Sequence, residues 1–146
     1  MTTATAPIEQ TLEQIRMRFA IAVVKHTMQS LEDKERKEYV ARCKNLPAQV
    51  LQNGLNQALA FCASKEKEKS YAAILRQLDD WLTGRGAHYA ALGLPQALAV
   101  FADALDAEKV LDVMQRHSMD DYILATTEAL HLLHHIERFA TAFAVE

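Results

Sequence analysis

The stretch LPAQVLQNGLNQALAFCASK, Leu46 to Lys65, carries two incompatible signals, and the fold class turns on which one the chain obeys. Asn53-Gly54 is a strong hairpin turn when alternating strands flank it. The flanks here do not alternate. Val50 and Leu51, then Leu55, Ala58, Leu59, Phe61 and Cys62, recur at the steps of a helix face. The stretch therefore reads as helix with a local distortion, the alternative being a helix that breaks at the glycine. A glycine inside a helix costs roughly 0.5–1 kcal/mol relative to Ala, so Gly54 is expected to permit a close approach by another backbone or by a partner.

Helical period continues on both sides. Upstream, Asp33 to Lys44 carries Tyr39, Val40 and Cys43 inward, and Pro47 either opens a third helix or kinks the second. Ile8, Leu12, Ile15, Phe19, Ala22 and His26 form one apolar stripe on a first helix that ends near Ser30, with Pro7 suited to its first position. Downstream, a lysine-rich loop from Ser64 to Lys69 leads to a helix from Ser70 through Ile74, Leu78 and Trp81 to Leu82, stopped at Gly84-Arg85-Gly86. Residues 84–95 read as a flexible connection. Short helices are expected at Gln96 to Leu105 and Ala107 to Arg116, and Ser118 is placed to cap a final helix. That helix should turn Tyr122, Ala125, Ala129, Leu130, Leu133, Ile136, Phe139, Ala140 and Phe143 inward.

Composition points the same way. A chain of 146 residues is about one domain, an apolar fraction of 50% excludes general disorder, and four glycines with three prolines supply few tight turns for an all-β fold. The expectation is an all-α, compact single-domain bundle of six or seven helices. Cys43 and Cys62 form no C-x-x-C pair and read as buried thiols of a reducing cytoplasm; no signal-peptide pattern opens the sequence and no apolar run is long enough for a membrane span. Charge is divided. Through Arg76 twelve Lys and Arg oppose eight Asp and Glu, giving +4, and from Gln77 onward four oppose eleven, giving −7. Such a chain can face a polyanion with one surface and a basic neighbour with another, or stack head to tail on copies of itself; the plainer reading is solvated helix faces.

Two stretches carry a family likeness. Leu46-Pro47, Asn53-Gly54-Leu55, Gln57-Ala58-Leu59-Ala60-Phe61 and Lys65, followed by Tyr122, Thr126, Glu128, Leu130 and Arg138-Phe139-Ala140, resemble the signatures of the small helical subunit of type III-B (Cmr) CRISPR effector complexes. The resemblance runs through most of the chain except roughly residues 84–110. It implies a subunit without activity of its own, stacked in copies as an inner filament beside the guide and target RNA duplex. Implied partners are the catalytic backbone subunit and other subunits of the complex, guide RNA and target RNA. Pro47, Asn53, Gly54, Gln57, Tyr122, Glu128 and Arg138 then belong to a subunit-contact or packing signature. Thr127 and Glu137 stand where basic residues are frequent in that family, which shifts the expected RNA contact from the last helix to the basic first half.

Arg42, Lys44, Lys65 and Lys69 bracket the Leu46–Lys65 stretch and are the candidate RNA contacts, since Lys and Arg bind phosphate without reading sequence. The interleaved Glu66 and Glu68 leave ordinary surface charge as the alternative. Glu128-x-x-His131, with His134 and His135 one turn on, is the sharpest enzyme-like feature, because such residues share a helix face and could jointly hold a metal. A di-iron bundle would need a second Glu-x-x-His, and none exists in the chain. His135 also falls where the family usually has an aromatic, which favours packing. No nucleophile elbow or phosphate-binding glycine pattern is present. Asp79-Asp80 and Asp120-Asp121 read as solvated or capping residues. The expectation is therefore a protein without catalytic residues, metal or cofactor, with a helical metalloprotein using Glu128, His131 and His135, or an interaction module without RNA contact, as alternatives.

Overall fold

A computed structural model of the chain describes residues 10–104 and 109–144, and these contain helices and turns without strands. Seven α-helices follow one another: α1 (Leu12–Ser30), α2 (Asp33–Asn53), α3 (Leu55–Ser64), α4 (Lys69–Thr83), α5 (Ala87–Ala91), α6 (Val110–Met114) and α7 (Met119–Phe143), with a single 3-10 turn at Gln96–Leu98. The all-α bundle expected from composition and periodicity is the observed architecture. α7 lies along both α1 and α2, α4 packs against α2 and also touches α7, and α3 folds back against α2 and α4.

Each long helix begins where local chemistry permits. Thr11 caps α1, its hydroxyl accepting from the Gln14 amide while the Gln14 side chain accepts from the Thr11 amide, which satisfies two otherwise orphaned donors. Pro7 and Ile8, expected in this helix, lie outside the described residues. Ser118 caps α7 as anticipated, accepting from Asp121 N at 3.2 Å. The left-handed Gly84 ends α4.

The stripe on α1 is rotated from its expected position. Arg16, Phe19, Ala20, Val23, Val24 and Thr27 are buried, whereas Leu12 and His26 are exposed. Apolar residues cover most of the circumference of this helix, so their spacing left the phase open. The correction on α7 is smaller: Leu132 and His135 join the buried set, while Tyr122, Leu130, Phe139 and Phe143 are only partly buried.

Pro47 does not open a third helix; its place is within the second, the position the alternative reading gave it. It sits inside α2, buried, and withholds the amide that would have bonded the Cys43 carbonyl. The helix breaks instead at Gly54, where the continuous-helix reading fails. Its φ of 87° and ψ of 157° lie in a region open essentially to glycine alone. Gly54 N donates to Val50 O and Gly54 O accepts from Ala58 N, so this one residue closes α2 and opens α3.

The expected helix at Gln96 to Leu105 is reduced to the 3-10 turn, and the one at Ala107 to Arg116 to five residues, with residues 105–108 outside the description. Within the stretch read as a connection, α5 buries Tyr89 against Phe19 of α1 and Trp81 of α4, with ring centroids 6.1 and 6.0 Å apart. A second buried link is polar. Tyr39 Oη donates to Gln77 Oε1 at 3.1 Å, and Gln77 Nε2 donates to Thr27 Oγ1 at 2.9 Å, tying α2, α4 and α1 through one satisfied amide.

Candidate subunit and nucleic-acid interface

The signature residues fall into two groups, and the fold separates them by exposure. Gly54 and Tyr122 meet. A Cβ built on Gly54 would lie 3.0 Å from the Tyr122 hydroxyl, and that hydroxyl accepts from the half-buried Asn56 amide in the first turn of α3 at 3.3 Å. The neighbour at the glycine is a side-chain hydroxyl of the same chain, not the backbone or partner expected there, and it pins the start of α7 to the α2–α3 elbow. Gln115 Nε2 reinforces the corner by donating to Asn56 Oδ1 at 3.2 Å.

Glu128 is also internal. Its carboxylate accepts from Arg16 Nε at 2.8 Å and Nη2 at 2.5 Å, and from Trp81 Nε1 at 3.0 Å, joining α7 to α1 and α4. Burial opposes ionisation of this carboxyl, but hydrogen bonds from Arg16 and Trp81 outweigh it and hold Glu128 below the ordinary range. The hydrogen bond to Glu128 likewise raises Arg16. Such a bidentate fork fixes orientation as well as charge.

That commitment disassembles the metal alternative. Glu128 is turned to Arg16 and Trp81, His131 and His134 are exposed, and the buried His135 meets Glu13 of α1 with Nε2 3.0 Å from the carboxylate. Desolvation lowers the His135 pKa against the pull of Glu13. Among the described residues no group of three or more His, Cys, Asp or Glu is placed to hold a metal ion.

Asn53, Gln57 and Arg138 are exposed. Asn53 and Gln57 line an open groove of about 460 Å³ with Gln49, Ala58 and Phe61 across the α2–α3 elbow. Leu51, 70% exposed, stands on the same turn of α2. An amide-lined groove with an aromatic in it offers paired donors and acceptors to another polypeptide.

The four candidate RNA contacts are not one patch. Arg42 lies over the Tyr71 ring, 4.7 Å from its centroid, and approaches Glu68 at 3.5 Å, while Lys69 Nζ lies 3.8 Å from Glu35. These contacts hold Glu68 and Lys69 against α2. Lys44 is about 200° around the helix from Arg42 and projects away from α4. Lys44, Lys65 and Lys69 are exposed.

Both cysteines are buried, and burial pushes their thiols up, Cys43 to about 12 and Cys62 to about 11, so neither is a thiolate near neutrality. Asp79 takes the capping half of its solvated-or-capping reading: its carboxylate accepts from Val110 N, the first residue of α6, at 2.8 Å and pairs with Arg85. Arg16 and Gln77 are the structural residues that the sequence did not single out. Arg16 alone left a trace, since it shares four- and three-residue steps with Ala20, Val23 and Thr27.

A family model described as CRISPR-associated protein (Cas_Cmr5) matches residues 12–143, a span that takes in both signature stretches and the segment between them.

Proposed function

Because the chain belongs to the Cas_Cmr5 family of CRISPR-associated proteins, we propose that it serves as a non-catalytic structural subunit of a type III-B ribonucleoprotein. In this reading copies of the chain stack as an inner filament beside the guide and target RNA duplex, in cytoplasmic defence against invading RNA. The observation that carries the reading is the exposure of Asn53 and Gln57 in the amide-lined groove. Exposed side chains at signature positions are free to meet another subunit, and that is the role assigned to these two. Arg42, Lys44, Lys65 and Lys69 are the proposed phosphate contacts. The geometry of Glu128 and the raised thiols favour a role without chemistry of its own. No helix among the described residues is long and apolar enough to cross a membrane.

Co-expression with the neighbouring subunits and guide RNA tests the assembly. The wild-type chain is expected to co-purify with the complex, and Asn53→Arg/Gln57→Arg is expected to be lost from it while keeping its own thermal midpoint. A variant that incorporates normally removes the groove from the interface. For RNA, exchanging the four cations together for Ala in the reconstituted complex should weaken target binding and flatten its salt dependence, because fewer counterions are released. Unchanged affinity and slope with normal assembly would place the RNA-facing surface elsewhere on the subunit.

A further inference from the structure

The two ends of α7 carry surfaces that match each other. At its first turns Met119, Ile123 and Leu124 are 72%, 56% and 58% exposed, half of the large apolar side chains exposed among the described residues. Met119 and Ile123 share one helix row, and Asp120 and Leu124 share the next, so an apolar ridge rises beside an acidic first turn. Scattered exposed apolar residues need no explanation, but three within two turns mark a contact surface.

At the other end lies an open groove of about 1010 Å³, lined among others by Lys25, Met28, Arg36, Lys37, Val40 and Phe143. Its floor is apolar: Met28, Val40 and Phe143 are partly buried against the core, and Phe143 stacks on Phe139 with ring centroids 6.1 Å apart. Its walls are basic. Arg36 is held by Met28 O and by Asp33, at 2.6 and 2.8 Å, which neutralises the one acidic residue of the groove. Lys25 stands over the Phe143 ring at 5.8 Å and Lys37 is exposed.

We propose that the Met119–Leu124 ridge of one copy docks in the α1–α2–α7 groove of the next. Asp120 and Asp121 then face Lys25 and Lys37, and Ile123 and Leu124 cover Phe143, Val40 and Met28. The ridge and the groove lie about 33 Å apart along one helix, at 1.5 Å per residue from 121 to 143. A surface that binds a different surface of its own kind makes a heterologous contact, which propagates from copy to copy instead of closing a two-fold dimer. This gives the division of charge in the sequence a physical use, since the basic half supplies the groove and the acidic half the ridge. The proposal rests on the filament reading above and names the faces that would form it.

The test uses the full chain alone, without partner subunits or RNA, so its failure is distinguishable from failure of co-purification. Sedimentation of the wild-type chain over a wide concentration range is expected to show association that weakens with salt. Ile123→Asp/Leu124→Asp removes the ridge, and Lys25→Glu/Lys37→Glu reverses the groove. Each should lower association by about tenfold or more: the ridge variant presses carboxylates onto the apolar floor of Phe143, Val40 and Met28, and the groove variant sets Glu against Asp120 and Asp121. Mixed together, the two variants should form a dimer and nothing larger, because one intact ridge and one intact groove remain. Melting curves establish that each variant is folded, and Lys25→Ala/Lys37→Ala substitutes for the reversal if it is not. A wild-type chain that stays monomeric, variants that associate as before, or a mixture that fails to pair would each overturn the proposal. So would loss of single-stranded RNA binding in the groove variant with association of copies intact, which would assign the groove to RNA.

Discussion

The long helices α1, α2, α4 and α7 meet along extended buried apolar faces and through one enclosed ion pair, whereas the described residues between Gly84 and His117 form short pieces held by single buried anchors such as Tyr89, Phe101 and Val113 and by polar groups at the end of α4. In the first region Phe19, Tyr39, Leu78, Leu133 and Ile136 are essentially inaccessible, and the Arg16–Glu128–Trp81 node selects one mutual arrangement of three helices. In the second, Val110 N donates to Asp79, Phe101 N to Leu82 O, Gln96 Nε2 to Thr83 O, and Arg85 pairs with Asp79. Five-residue helices cannot sustain themselves, since nucleation costs more than so few hydrogen bonds return. The last turn of α4 supplies what they lack. Length is therefore exchanged for tethers, and the two regions should respond differently to substitution.

The strongest way to break this contrast is at the ion pair. Glu128→Ala leaves the Arg16 guanidinium largely enclosed without its partner and is expected to cost about 3–5 kcal/mol in denaturant unfolding. Arg16→Met/Glu128→Leu removes both charges and should cost markedly less than the single change. Equal losses would mean that the pair acts only through packing.

Next is Gly54. Gly54→Ala forces a side chain into a backbone conformation reserved for glycine and against the Tyr122 hydroxyl, for an expected loss of about 1–3 kcal/mol. Repeating it in a Tyr122→Phe background sharpens the cause. A cost that persists belongs to the backbone, and one that vanishes belongs to crowding.

Asp79→Ala tests the tethered side. It should cost about 1–2 kcal/mol, read as faster amide exchange confined to α5, α6 and the turns between them. Equal loss of protection in α1 and α7 would show that the two regions are one cooperative unit.

The smallest effect concerns Asp80. Burial first, and then the neighbouring Asp79, raise its carboxyl from 3.8 to about 7. Between those values the unfolded chain has released a proton that the folded one keeps, so stability declines as pH rises through this window and stays lower above it. Asp80→Asn should remove that decline, raising stability by about 1 kcal/mol at mildly alkaline pH and leaving it unchanged near pH 4. Equal effects at both pH values would exclude Asp80 as the titrating group.

Much of the site was legible because it is local. The signature stretches marked Gly54, Tyr122 and Glu128 as special, but Gly54 meets a side-chain hydroxyl at a helix break and not the backbone or partner expected beside a continuous helix. Its partner was not legible, because Tyr122 lies 66 residues from the Asn56 amide it accepts from. Arg42 and Lys44 looked equivalent in the sequence, yet two positions along a helix send them to different sides, one onto Tyr71 and the other to solvent.

What the sequence determined by itself is what short-range periodicity and capping control: an all-helical chain, the limits of α4 and α7, the burial of both cysteines and the family. Tertiary structure alone decided the phase of α1, the role of Pro47 inside α2 and the pairing of Arg16 with Glu128 across 112 residues. The reason is that a helix with apolar residues on most of its circumference can turn several faces inward at similar cost. Which face it buries is set by what the neighbouring helices present, including one carboxylate that accepts from the guanidinium and from an indole together only in a single arrangement.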